Sequence, residues 1–169
     1  MDRDAFRREA EVAFGRVREA MTAHVLTFEP GTRASDAALR LSTEGVAGAP
    51  VVDRGRVVGV ISLSDVLTRE GHLAPQTSGP FLRGERHLAN LTVADVMTRE
   101  VVTVRDGEPL IRAVELMDAE GVNRLPVLDE HERVVGILAR DDVLAAIART
   151  VRALESVGVH PGAPLLEPD

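Results

Sequence analysis

The phrase "APVVDRGRVVGVISLSDVL" (Ala49 to Leu67) returns later in the chain as "LPVLDEHERVVGILARDDVL" (Leu125 to Leu144). The match extends upstream. "EAMTAHVLTFEPGT" (Glu19 to Thr32) aligns with "DVMTREVVTVRDGE" (Asp95 to Glu108), and "AALRLSTEGVAGAPVVD" (Ala37 to Asp53) aligns with "AVELMDAEGVNRLPVLD" (Ala113 to Asp129). The offset is 76 from Met21/Met97 to Pro50/Pro126 and becomes 77 at Gly59/Gly136, because the turn "DEHERVVG" is one residue longer than "DRGRVVG". A length change confined to a turn is what a folded repeat tolerates. The chain must therefore build one supersecondary unit twice and bury both copies.

Within each unit the pattern reads strand, helix, strand, strand, helix. "HVLTF" and "VVTV" are short β-branched runs. "ASDAALRLSTEG" opens on a Ser/Asp start signal, carries apolar residues at helical spacing and stops at Gly45. "EPLIRAVELMDAEG" has Pro109 at its start and Gly121 at its end. "APVVDRGRVVGVI" reads as two buried strands around a tight turn. "SLSDVLTRE" and the longer "ARDDVLAAIARTVRALE" open the closing helices, the second expected over Asp141 to Glu155. "TVADVM" forms a short leading helix, with Thr92 and Asp95 at capping-box spacing. A unit near 50 residues is small for an independent core. The expectation is an α/β (α+β type) fold: two βαββα repeats packed through their sheets as one pseudo-two-fold domain. Its parts are an N-terminal helix (1–16), repeat 1 (17–70), a Gly/Pro-rich linker (71–90), repeat 2 with the long C-terminal helix (91–157) and an irregular tail (158–169).

Composition narrows the functions. Among 169 residues, 44% are hydrophobic and 28% charged, as in an ordinary globular protein. The net charge of −7 argues against phosphate-backbone binding as the main activity, and 2% aromatics, all Phe, offer no stacking platform for single-stranded nucleic acid. The absence of Cys excludes disulfides, thiolate metal sites and cysteine nucleophiles. "MDRDAFRREAEVAF" lacks an apolar signal region, and no apolar run reaches membrane-spanning length, so a cytoplasmic location is expected. No P-loop, G-x-S-x-G or plausible triad occurs.

These words, in this order and duplicated, resemble the tandem form of the cystathionine β-synthase (CBS) domain over residues 17–148. They are "VREAMT…VLTFEPGT", "GVAGAPVVD" and "GVISLSDVL", then "VADVMTREVVTV", "GVNRLPVLD" and "GILARDDVL". The resemblance implies a stand-alone CBS pair, clefts for adenosine-type ligands and a homodimer shaped as a flat disc. It implies a regulatory module that senses AMP, ADP, ATP or S-adenosylmethionine and modulates a partner protein, with no required cofactor, no metal and no catalytic residue. The alternative is a ligand-independent dimerising adaptor.

By that resemblance Ser62 meets phosphate and Asp65 takes the ribose hydroxyls, a chemistry carboxylates serve in dinucleotide sites. The same S-x-x-D is also a capping box, and the two roles can coexist. Val25, Leu26, Thr27, Gly48, Ala49 and Pro50 complete a first site. The second comprises Val101, Val102, Thr103, Asn123, Arg124, Leu125, Pro126 and Asp142, with Arg124 offering forked donors to phosphate. Ala139 replaces the hydroxyl there, so Asp142 is expected to be no part of a capping box, and the two clefts are expected to be unequal. Most apolar residues of both sets serve the core regardless. Met21 and Met97 read as packing residues. His24, His72, His87, His131 and His160 lack metal-ligand spacing and read as surface residues. The acidic runs 129–132 and 140–142 read as solvated turns.

Overall fold

Each copy of the repeated phrase folds as a hairpin followed by a helix. The computed structural model describes residues 3–73 and 90–156. Most of the 71–90 linker and all of the 158–169 tail lie outside the described residues. Chain order is α1 (Arg3–Phe14), α2 (Val17–Ala20), β1 (Thr22–Ala23), α3 (Ala34–Thr43), β2 (Gly48–Asp53), β3 (Arg56–Ser62) and α4 (Leu63–Leu73). The second half follows with α5 (Val93–Val96), β4 (Val104–Arg105), α6 (Leu110–Ala119), β5 (Arg124–Leu128), β6 (Val134–Ala139) and α7 (Arg140–Ser156). The mixed α+β expectation holds.

The second-repeat sheet runs β1-β6-β5-β4, with β4 parallel to β5 and the other pairs antiparallel. The first repeat has the β2–β3 hairpin, flanked by a parallel bridge from Phe28 to Val51 and an antiparallel bridge from Thr98 to Val60. The two arrangements are equivalent, down to a register irregularity at Val51/Val52 and again at Val127/Leu128.

The expected strands "HVLTF" and "VVTV" shrink to their ends. Thr22 and Ala23 pair with Ile137 and Gly136 of the second repeat, while Phe28 bridges to Val51 of the first. Residues 24–27 cross between the two sheets and cannot pair continuously with either. Of the later run only Val104 enters β4.

The leading helices are exchanged as well. Val17, fully buried, belongs to the second-repeat core with Leu110, Leu125, Val127 and Leu138. Val93 and Val96 belong to the first-repeat core with Leu41, Val51, Ile61 and Val66. Backbone bonds repeat the exchange. Val17 N–H donates to Glu108 O (3.0 Å), and Arg18 N–H to Asp106 O (3.0 Å); Val93 N–H donates to Thr32 O (2.8 Å), and Ala94 N–H to Pro30 O (2.9 Å).

This exchange also corrects the expected start of α3. Its N-cap is Arg33, with no side-chain cap bond, and Ser35 and Asp36 lie inside the first turn. The Ala34 N–H, which a cap would have helped to satisfy, donates to Leu91 O at 2.8 Å; Leu110 N–H likewise donates to Gly15 O at 2.9 Å. Helix starts satisfied by another segment's carbonyl do not need a Ser or Asp cap.

Met21 and Met97 lock the crossings. A Cβ at Gly136 would lie 2.5 Å from the Met21 Sδ, and one at Gly59 would overlap the Met97 Sδ. Each thioether fills the space left by a side-chain-free residue of the other repeat, as the packing assignment anticipated.

Asp129 closes the longer second turn. Its carboxylate accepts the N–H of His131 (2.8 Å) and Arg133 (2.9 Å) and pairs with the Arg133 guanidinium at 2.7 Å. The Arg133 N–H contributes most to holding its carboxyl below the ordinary 3.8. Partial burial opposes that, and the Arg133 side chain and the His131 N–H add to it. A lowered folded-state value means the stabilisation is complete above the unfolded value and fades as pH falls through the folded one. Asp129→Asn should lower the urea midpoint at pH 7, and the gap to wild type should close as pH drops below 3.8. A gap of constant size would show that the carboxylate charge contributes nothing.

Candidate functional site

At the junction of β3 and α4, Ser62 and Asp65 form a full reciprocal cap. The Asp65 Oδ2 accepts the Ser62 N–H and Ser62 hydroxyl, both at 2.7 Å, while the Asp65 N–H donates to Ser62 Oγ at 3.2 Å. Thr92 and Asp95 make the same box ahead of α5. The second repeat departs from expectation. Asp142 Oδ2 accepts the Ala139 N–H at 2.8 Å, so Asp142 keeps one half of a capping box without a hydroxyl partner. The carboxylate needs only the backbone donor for that half, and Ala supplies one as well as Ser does.

Arg124 connects the two halves. It begins β5 beside Ala139, yet its guanidinium lies over Gly48, the repeat-equivalent residue in β2. A Cβ at Gly48 would overlap the Arg124 Nη1 and come within 2.8 Å of the Ile61 carbonyl. Gly48 itself pairs with Ser62. The sequence grouping put Arg124 with the second cleft; its cation reaches the first-repeat edge where the Ser62–Asp65 cap opens α4. It is half-buried and makes no ion pair with the described residues. A guanidinium, a hydroxyl and a helix N-terminus in one neighbourhood form a setting that suits phosphate, and the carboxylate beside them can accept hydrogen bonds from vicinal hydroxyls.

The crossing residues and the second repeat enclose a cleft of about 430 Å³, lined by Ala23, His24, Val25, Thr27, Val134 and Val135. Val25 and Thr27 were expected at a site; Leu26 instead packs against the first core. Gly48, Ala49 and Pro50 are buried in β2, and they, Ser62 and Asp65 are not among the lining residues. Of the second set, Leu125 and Pro126 are buried in β5. Val101, Val102 and Thr103 are half-buried ahead of β4, and Asn123 is exposed with its carbonyl accepting the Arg140 N–H at 2.9 Å. Sequence reasoning missed Ala23, His24, Val134 and Val135. The available signal was the strand exchange, visible only if a leading segment is paired with the hairpin of the other copy. Among the described residues no group of three or more His, Asp or Glu side chains is placed to hold a metal ion, and no helix is long and apolar enough to cross a membrane.

Comparison with known proteins places this architecture. A family model for the CBS domain matches residues 17–71 and 93–149. Uncharacterized protein MJ1225 of Methanocaldococcus jannaschii is 32% identical over 76% of this chain and 45% of its own length. Its crystal structure aligns with a TM-score of 0.66 at 28% identity, covering 86% of this chain and 52% of that one. MJ1232 of the same organism is 30% identical, over 73% of this chain and 36% of its length, so this chain spans less than half of either relative. A CBS domain-containing protein of Dictyostelium discoideum is 31% identical over 83% of this chain and 94% of its own. CBSX2 from Arabidopsis thaliana, crystallised in complex with AMP, aligns with a TM-score of 0.64 at 29% identity, covering 79% of this chain and 96% of that one. The duplicated sequence and the two matched repeats lead to one assignment: the chain belongs to the CBS domain family, as a tandem pair.

Proposed function

We propose that this pair is a non-catalytic regulatory module that binds an adenine nucleotide or adenosyl compound and passes its occupancy to a partner protein. The observation that carries this reading is Arg124 reaching across to the first-repeat edge where Ser62 and Asp65 open α4. In this reading Arg124 and the start of α4 hold phosphate, and Asp65 accepts the ribose hydroxyls at the cost of rearranging its cap. The AMP complex of CBSX2 is consistent with this chemistry. Regulation follows if the ligand binds one arrangement of the repeats more tightly than another, since only differential affinity shifts an equilibrium.

Thermal melting with AMP, ADP, ATP, S-adenosylmethionine, NAD and cyclic di-AMP tests the proposal. A ligand at ~100 times its dissociation constant adds about 2.7 kcal/mol, or roughly 5 to 10 °C for a chain of this size. The expected result is a shift with at least one of these, absent in Asp65→Ala when compared with that variant's own unliganded melt. No shift with any, in a folded protein, would overturn the reading.

The second reading is the ligand-independent dimerising adaptor. Leu67 on α4 and Leu144 on α7 occupy equivalent positions and are 56% and 59% exposed. Two apolar side chains repeated on the closing helices suit a helix-to-helix contact with a second copy.

A further inference from the structure

The chain has no cysteine, so its four methionines carry all of its sulfur. Two of them, Met21 and Met97, stand at equivalent points, each the C-cap of a leading helix where the chain crosses to the other repeat. Met21 packs against the second core and Met97 against the first. Each sulfur lies against a glycine that could not carry even a methyl group, Gly136 for Met21 and Gly59 for Met97. These are the points where the crossings are pinned. Ala23 pairs with Gly136, and beside Gly59 the Val60 and Thr98 backbones exchange two hydrogen bonds of 2.9 Å. The surroundings offer acceptors: the Thr22 and Thr98 carbonyl oxygens lie 2.9 and 3.0 Å from where the two glycine Cβ atoms would be. Met21 and Met97 keep partial exposure, whereas Met117 is 3% exposed inside the second core.

We propose that Met21 and Met97 are a matched pair of oxidation sites, through which a peroxide-class oxidant loosens both crossings at once. The thioether sulfur gives an electron pair to one peroxide oxygen. The O–O bond breaks, an S–O bond forms and the remainder leaves as water, so sulfur loses two electrons and the peroxide gains them. No thiol of this chain competes for the oxidant. The sulfoxide is polar and larger at the atom that fits the glycine, and its oxygen is an acceptor facing backbone acceptors. Relief comes from moving the crossing off β6 or β3, which breaks the short β1–β6 pairing and the Val60–Thr98 bridge. A sulfoxide reductase with a dithiol reverses the step: the oxygen leaves as water and the dithiol becomes a disulfide. None of this depends on which ligand the pair binds.

Timed treatment of the full chain with hydrogen peroxide, followed by peptide mass mapping, tests this. Met21 and Met97 should gain oxygen roughly 10-fold or more faster than Met117, whose sulfur reacts only through local opening. The oxidised protein should melt about 4 °C or more below the untreated one. Hydrogen exchange should rise at residues 22–23, 136–137, 60 and 98, and reductase treatment should restore both readouts. Met21→Leu/Met97→Leu keeps the apolar volume and removes the sulfur, so the same peroxide dose should leave its melt unchanged. Oxidation of Met21 and Met97 no faster than that of Met117 would overturn the proposal. So would full oxidation of both with an unchanged melt, or an equal loss in the double variant, which would place the damage elsewhere. The wild-type map and melt decide the matter even where a variant does not fold.

Discussion

Val17→Asp is expected to open the second repeat, although Val17 is contiguous in sequence with the first. Its side chain is fully buried among Leu110, Leu125 and Leu138, with no polar partner for a carboxylate in that cluster. Burying an uncompensated charge there should cost about 4 kcal/mol or more, at the severe end for a single substitution. Hydrogen exchange resolves where the cost falls, because sub-global openings are read segment by segment. Protection should be lost first in β5 and β6, at residues 124–128 and 134–139, with β2 and β3 retaining theirs longer. Val93→Asp should do the reverse, exposing β2, β3 and the Phe28 bridge first, since Val93 is fully buried in the other cluster. Were each leading helix packed on the repeat that follows it, both patterns would invert. The exchange also predicts that neither half folds well alone, since each core lacks a wall until the other copy supplies it.

What was legible in the sequence was local or periodic. The Thr92–Asp95 and Ser62–Asp65 boxes were read from i, i+3 spacing, and the structure contains both. The duplicated hairpins and the long α7 followed from repetition and from apolar spacing. The features missed depend on partners far apart in the chain. Arg33 caps α3 without a side-chain bond because Leu91, 58 residues on, offers its carbonyl instead. His24 looked like a surface histidine, and it is exposed, but the crossing between sheets makes it a wall of a cleft whose opposite side is Val134 and Val135. No periodicity reports that, because β1 contributes only two paired residues to the second sheet. The reach of Arg124 escaped the sequence for the same reason: its long side chain lies over Gly48, the equivalent residue of the other repeat, 76 positions away in the chain.

The Gly48/Arg124 pair shows how far identity of the two repeats could have gone. Two arginines at these equivalent positions would compete for one space, because the Arg124 guanidinium already covers Gly48. Gly48→Ala is therefore expected to destabilise by about 1–3 kcal/mol through overpacking, lowering the melting temperature by roughly 3 to 10 °C. Arg124→Ala should cost little in stability, since the guanidinium makes no ion pair with the described residues. It should still weaken AMP binding about 10-fold or more through the lost charge-assisted contact, while leaving adenosine binding nearly unchanged. The double variant separates the two obstacles. Removing Arg124 clears the flexible one, but the Ile61 carbonyl at 2.8 Å is backbone held in the β2–β3 ladder and stays. A double-mutant cycle should therefore recover only part of the loss. Full recovery would show that the ladder yields freely, and none would show that Arg124 does not occupy the Gly48 face. Partial recovery would mean that the fold requires glycine here even without Arg124, because the Ile61 carbonyl of the β2–β3 ladder still crowds a Cβ at this point.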